Sequence, residues 1–317
     1  MSSVEKMAAR KKKVILDVDT GVDDAHAIIL ALTHPSVDVV AITCANGNLK
    51  IDDVVANTFR VLQTCKRFDV PVFKGAARTL LGKVSPSDNY SAEVWKTPVD
   101  LSKLQSEHAA IALVRFANQF PGEITLVALA PLTNVAMALN LDPNFSEKLH
   151  DIIIMGGNIG ARGRVSPCAE FNFFTDPEAA FIVLKSAARI RLLPYEVCLN
   201  HHLSWEFVEE WTGADNEISR FLQDSMETPI QTAKSESTIG FKSCDGYALA
   251  VFLDDSVVKE SQKIYGTVEL NGYFTRGQMV VDWYNAMKEK ENICVILELN
   301  LKMIEELFRS MITRNKF

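Results

Sequence analysis

From residue 14 to residue 193 the chain alternates between short, continuous apolar runs and longer stretches whose apolar residues recur at helical spacing. The short runs predict strands over 14–18 (VILDV), 37–43 (VDVVAIT), 70–73, 124–130, 151–155 (DIIIM) and 190–193. The longer stretches predict helices over 24–32, 52–68, 106–119, 134–139 and 177–186. Pro71 places its strand near a sheet edge, because proline cannot donate to a ladder. Short apolar strands joined by helical crossovers predict an α/β fold with a doubly wound, mainly parallel central sheet flanked by helices.

After Asn200 the pattern changes. Helices are predicted over 205–211, 217–232, 247–252 and 300–311, and strands over 265–270 and 278–282. This reads as a helical cap in the C-terminal half. With no Pro- or Ser-rich linker, repeat or low-complexity block, the expected organisation is one domain over 13–317 behind a flexible N-terminal arm, 1–12. The basic run Lys11–Lys13 is expected to be a solvated lead-in rather than a localisation patch.

Composition narrows the function classes. The chain is 48% hydrophobic and 23% charged, which excludes a mostly disordered, collagen-like or coiled-coil protein. Its 33 basic and 40 acidic residues give 33 − 40 = −7, against a nucleic-acid binder that must neutralise phosphates. No stretch approaches the ~20 apolar residues of a membrane span. No secretory leader is expected from the N-terminal sequence, and Cys44, Cys65, Cys168, Cys198, Cys244 and Cys294 form no CxxC pair. A cytoplasmic protein with buried free thiols is the expectation.

The segment Asp17-Val18-Asp19-Thr20-Gly21-Val22-Asp23-Asp24 sets four carboxylates within eight residues. On an extended strand Asp17 and Asp19 would share a face. Asp23 and Asp24 open a helix, where the macrodipole favours negative charge. Helix capping accounts for one or two aspartates, not four. Two carboxylates ~4 Å apart repel by about 4 kcal/mol at an effective dielectric of 20, so the cluster calls for raised pKa values or a cation. All-oxygen ligation favours Ca²⁺ or Mg²⁺, and ligands of open α/β sheets bind at the carboxyl ends of strands.

DVDTGVDDAHA resembles the DxDxGxDDAxA signature of the inosine–uridine-preferring nucleoside hydrolases. Further likenesses follow in order: Ala45-Asn46-Gly47-Asn48; Ala130-Pro131-Leu132-Thr133-Asn134; Met155-Gly156-Gly157 followed by Ala169-Glu170-Phe171-Asn172; Asp176-Pro177-Glu178-Ala179-Ala180; Cys244-Asp245; and Thr275-Arg276-Gly277-Gln278 with Asp282. The resemblance runs from about Lys13 to the last helix.

It implies hydrolysis of the N-glycosidic bond of purine or pyrimidine ribonucleosides, with Ca²⁺ held by Asp19, Asp24, Asp245 and the main-chain carbonyl of Leu129. Asp19 is implied as the general base. Asp23, Asn48 and Asn172 match ribose contacts, and Met155 and Glu170 match contacts on the 5′ side. Related enzymes are dimers or tetramers, so a homo-oligomer is expected; no nucleic-acid or membrane partner is. Cys244 stands where many members carry the histidine that assists the leaving base. Trp205, Trp211 and Tyr247 are candidates for stacking on the base instead. His26 is expected to pack, and His201-His202 to form a loop pair.

Two stretches depart from the family pattern. The Gly-rich loop after the third strand is replaced by residues 85–95, which contain no glycine. Arg164 aligns where members carry an Asn that contacts the 5′-hydroxyl. An arginine there faces solvent, weakens ribose binding or admits a 5′-phosphate. These departures leave a catalytically impaired relative as an alternative. A phosphatase of the haloacid-dehalogenase type is a third reading, with Asp254-Asp255 as its distal acidic pair.

Overall fold

The computed structural model describes residues 11–83, 95–163 and 165–313. The strands are β1 (Lys12–Val18), β2 (Val37–Cys44), β3 (Val72–Lys74), β4 (Leu104–Gln105), β5 (Ile124–Ala128), β6 (Asp151–Met155), β7 (Ile190–Leu193), β8 (Leu203–Ser204), β9 (Gly240–Phe241), β10 (Val258–Ile264), β11 (Gly266–Val268), β12 (Met279–Val281) and β13 (Ile293–Leu299). The helices are α1 (Val22–Thr33), α2 (Ile51–Thr64), α3 (Ala109–Gln119), α4 (Thr133–Leu141), α5 (Phe171–Thr175), α6 (Pro177–Leu184), α7 (Tyr195–Asn200), α8 (Trp205–Gly213), α9 (Glu217–Ser235), α10 (Cys244–Leu253) and α11 (Leu301–Thr313).

Among the described residues, nine strands form one sheet in the order β10-β13-β7-β6-β5-β1-β2-β3-β4. Every neighbouring pair is parallel except β10–β13. The doubly wound, mainly parallel sheet is therefore present. Its strand order runs outward from β1 through β2 and β3 on one side, and from β5 through β6 and β7 on the other. The crevice at this reversal lies beyond the carboxyl ends of β1 and β5, where the acidic segment begins.

The central strands are largely apolar because both sheet faces are covered. β5 and β6 are buried at every residue. One face packs against α1, α2, α10 and α11, the other against α3, α4 and α6. In α11 the buried Ile304, Phe308 and Met311 recur at helical spacing and form its inner stripe. α10 (CDGYALAVFL) is buried along its whole length apart from the half-buried Cys244. Such an all-round apolar helix belongs in a core. None of the described helices is long and apolar enough to cross a membrane.

Several expectations are corrected. Lys12 already belongs to β1, and its Nζ donates to the Phe252 and Leu253 carbonyls at 3.2 and 3.0 Å, at the C-terminal end of α10. Lys13 pairs with Glu123 at 3.3 Å. Most of the basic run therefore ties the first strand down. Two strands of the main sheet lie outside the predicted set. β10 (VKESQKI) is an edge strand exposed over most of its length, so its polar sequence hides it. β13 (ICVILEL) is an apolar run of ordinary strand length. The predicted strands at 265–270 and 278–282 do not join the sheet; they pair as the antiparallel ribbon β11–β12.

Candidate active site

β1 ends at Val18, so Asp19 lies past the strand, and strand alternation does not relate it to Asp17. The two carboxylates do different things. Asp17 Oδ1 accepts from Thr43 Oγ1 at 2.6 Å and Asn134 Nδ2 at 2.8 Å. Asn134 Nδ2 also donates to the Cys44 carbonyl, and its Oδ1 accepts from Ala76 N. Asp17 thus ties the ends of β1 and β2 to the start of α4 as a structural group. Asp19 Oδ2 instead accepts from the Asn48 backbone N–H at 2.6 Å. The loop can come this close because residue 47 is glycine: a Cβ there would stand 2.0 Å from Asp19 Oδ2.

Asp24 folds back over the N-terminus of its own helix. Its oxygens accept from Gly21 N at 2.9 Å and Asp19 N at 3.2 Å. Asp245 sits in the first turn of α10, which packs against α1. Two helix N-termini therefore bring Asp23, Asp24 and Asp245 together with favourable dipoles behind them. One oxygen from each lies within 4.8 Å of the others.

Electrostatics follow from this crowding. Burial, then the Asp24 and Asp23 charges, hold Asp19 well above the usual carboxylate range. Burial and Asp23 push Asp24 up to about 7. Burial, then Asp23 and Asp24, raise Asp245 strongly. Groups so close cannot all ionise unless positive charge sits among them. The donor set is carboxylate oxygen only and fits a hard divalent cation.

Asp23 and Asp245 open onto a cleft of about 520 Å³. Asn48, Leu129, Met155, Glu170, Asn172 and Cys244 line the same cleft. Asn172 Nδ2 donates to the Leu129 carbonyl at 2.7 Å and the Met155 carbonyl at 3.2 Å, joining the ends of β5 and β6. A carbonyl oxygen has a second lone pair, so the Leu129 oxygen keeps ligating capacity. Glu170 caps α5: Oε1 accepts from Asn172 N, and Oε2 from Gly157 N and Phe173 N. Burial pushes its carboxyl up to about 7. Arg164 and residues 84–94 lie outside the described residues.

The remaining motifs serve as staples. Asp176 caps α6 through Ala179 N and accepts from Thr133 Oγ1 at 2.7 Å. Arg276 Nη2 donates to both Glu178 carboxylate oxygens at 2.8 Å, while Nη1 donates to the Leu270 carbonyl.

The stacking candidates are corrected. Trp211 and Tyr247 are fully buried in the core against Phe308, and Trp205 donates its indole N–H to the Thr238 carbonyl. None of the three lines the cleft; Phe171, Tyr195 and Phe241 do. Sequence reasoning missed these because they sit in short elements whose orientation is set by packing. His26 packs as expected, edge-on to Trp211. His201 braces backbone, with Nδ1 against the Val197 carbonyl and Nε2 accepting from Leu299 N. The Cys244 thiol is raised by the neighbouring Cys198 thiol and by burial. Asp254 and Asp255 lie at the opposite end of α10 from Asp245, capping Ser256 and pairing with Arg191. They offer nothing to a phosphatase site.

Residues 14–306 match the sequence profile described as inosine-uridine preferring nucleoside hydrolase. The pyrimidine-specific ribonucleoside hydrolase RihA of Salmonella arizonae is 33% identical over 294 residues, covering 90% of this chain and 94% of that one. Among solved structures, the plant nucleoside hydrolase PpNRh1 superposes with a TM-score of 0.88 at 27% identity, covering 95% of this chain and 99% of the other. An inosine-guanosine nucleoside hydrolase superposes at 0.86 with 29% identity, covering 95% and 98%. The chain belongs to the inosine-uridine preferring nucleoside hydrolase family.

Proposed function

We propose that this protein is a calcium-dependent N-ribohydrolase that cleaves ribonucleosides into free base and ribose. The observation that carries the reading is the approach of Asp23, Asp24 and Asp245 to within 4.8 Å at the floor of a cleft lined by Asn48, Leu129, Met155, Glu170 and Asn172. Asp19, Asp24, Asp245 and the Leu129 carbonyl would hold the cation, with Asp23 at its edge facing the ribose. A bound divalent cation supplies positive charge that keeps these carboxylates ionised and polarises water and ribose hydroxyls.

In this reading Asp19 takes a proton from the water that adds to C1′. Its carboxylate is aimed by the Asn48 N–H. As the C1′–N bond breaks, its electron pair leaves with the base, through an oxocarbenium-like transition state comparable to that of glycoside hydrolysis. Asp23, Asn48 and Asn172 hold the ribose hydroxyls, Glu170 and Met155 bound the 5′ side, and Cys244 lines the way to the base. Cytoplasmic placement and a homo-oligomer remain part of the proposal.

The test is a panel of ribonucleosides assayed for reducing sugar with and without chelator and added Ca²⁺. Release of ribose that chelation stops and Ca²⁺ restores is expected. No release from any nucleoside in the presence of Ca²⁺ overturns the reading. Asp23→Ala and Asp19→Ala, compared for cation affinity, identify which of the two belongs to the ligand set.

A further inference from the structure

The cleft has two unlike halves. Its floor is the acidic cluster with Asn172 and Glu170 at the strand ends. Its outer wall is made by Thr228, Pro229, Thr232 and Ala233 of α9, by Phe241 at the end of β9 and by Lys242 just after it. With the sugar on the floor, the base faces this outer wall.

Lys242 is the single cationic side chain among the described residues that line the cleft. It is half-buried, and among the described residues no salt bridge or side-chain hydrogen bond engages its ammonium. Glu236 lines the same cleft without pairing with it. Lys242 lies two residues before Cys244 and lines the same cleft as Cys244 and Asp245, beside the outer wall that the base faces. A cation left unpaired beside an acidic floor, in a cleft that has no histidine in its lining, calls for a role.

We propose that the Lys242 ammonium hydrogen-bonds the departing base and stabilises the negative charge that develops on it as the N-glycosidic bond breaks. The proposal rests on the nucleosidase reading above. The C1′–N electron pair moves onto the base, whose ring nitrogen or carbonyl oxygen accepts from the ammonium. The base then takes its proton from solvent, while the proton of the attacking water goes to Asp19. Preorganised positive charge at a site of developing negative charge acts most strongly where water is excluded.

The experiment compares Lys242→Ala, Lys242→Gln and Lys242→Arg on two substrates. One is the nucleoside turned over fastest by the native enzyme, the other p-nitrophenyl β-D-ribofuranoside, whose acidic phenol departs without help. Lys242→Ala and Lys242→Gln should lose about 10²-fold in kcat on the nucleoside, the size of effect that removing one such donor produces. They should retain near-native rates on the p-nitrophenyl riboside, and Lys242→Arg should recover much of the loss. Equal losses on both substrates, or none on either, overturn the proposal. Hydrolysis of neither substrate by the native enzyme overturns the nucleosidase reading beneath it.

Discussion

The Asn48 backbone N–H donates to Asp19 Oδ2 at 2.6 Å, so the loop after β2 holds the carboxylate that follows β1. That one contact orients the proposed base without using its second oxygen. Asp19→Asn keeps the shape but removes the proton acceptor. It should lower kcat by about 10³-fold, within the range for lost general-base catalysis, with an unchanged circular dichroism spectrum. Turnover near the native rate would remove Asp19 from the chemistry.

Gly47, next to Asn48, makes that contact possible by lacking a side chain. A methyl group at position 47 collides with Asp19 Oδ2, so either the loop or the carboxylate must shift. We expect Gly47→Ala to cost at least about 10²-fold in kcat, since misplacement of a reacting group by about 1 Å has that effect. Steady-state kinetics that match the native enzyme would show that the loop can yield freely.

Cation binding should expel protons. Without a cation, burial and Asp23 push Asp24 up to about 7, so the cluster carries protons near neutrality. The cation-bound form needs ionised carboxylates, and apparent affinity should therefore climb between about pH 6 and 8. Calorimetric titration with Ca²⁺ in buffers of different protonation enthalpy reads this directly. A binding heat independent of buffer would mean that no proton is released.

His26 ties stability to pH. Its Nδ1 meets Ser243 Oγ at 2.9 Å inside the core, and burial drives the imidazole down to about 3 from 6.5. The unfolded chain binds a proton that the folded chain refuses. The contribution of neutral His26 is thus fully present above pH 6.5 and is lost as pH falls toward 3, by about 2 kcal/mol at pH 5. Thermal denaturation should show a falling Tm on acidification, and His26→Leu should flatten part of that slope. Parallel curves for the two proteins would exclude His26.

Asn134 reaches Asp17, the Cys44 carbonyl and Ala76 N from one side chain. Asn134→Ala leaves the buried Asp17 short of a donor and should destabilise the fold by roughly 3 kcal/mol. Urea denaturation checks this. A loss below about 1 kcal/mol would show that water or a neighbour takes over the bonds.

Asp23 and Asp24 were legible because they cluster with Asp17 and Asp19 around the end of an apolar strand, where parallel sheets present ligands; Asp245, far along the chain at the start of α10, was reached only through the family resemblance. Asp17 was the exception. Its neighbourhood in sequence resembles that of Asp19, and only the end of β1 at Val18 separates the carboxylate that meets Asn134 from the one that meets Asn48. The outer wall was far less legible. Trp205, Trp211 and Tyr247 are stacking candidates only because Cys244 replaces the family's histidine, and they turn into the core or toward a backbone carbonyl, while Phe171, Tyr195, Phe241 and Lys242 reach the cleft from short or irregular segments. Their direction is a product of packing, which local periodicity does not encode. The strand β10 was hidden for a related reason: an exposed sheet margin carries the charges of a loop.

The helix bearing Asp245 is enclosed along its length, whereas the C-terminal half of α9, from Glu227 to Ser235, is largely open to solvent. Substitutions in the first disturb the centre of the molecule; substitutions in the second disturb little besides the shape of the cleft rim. The scaffold is therefore free to change which heterocycle it admits while its sugar-handling machinery stays frozen, and relatives named for pyrimidine and for inosine-guanosine substrates can share one architecture.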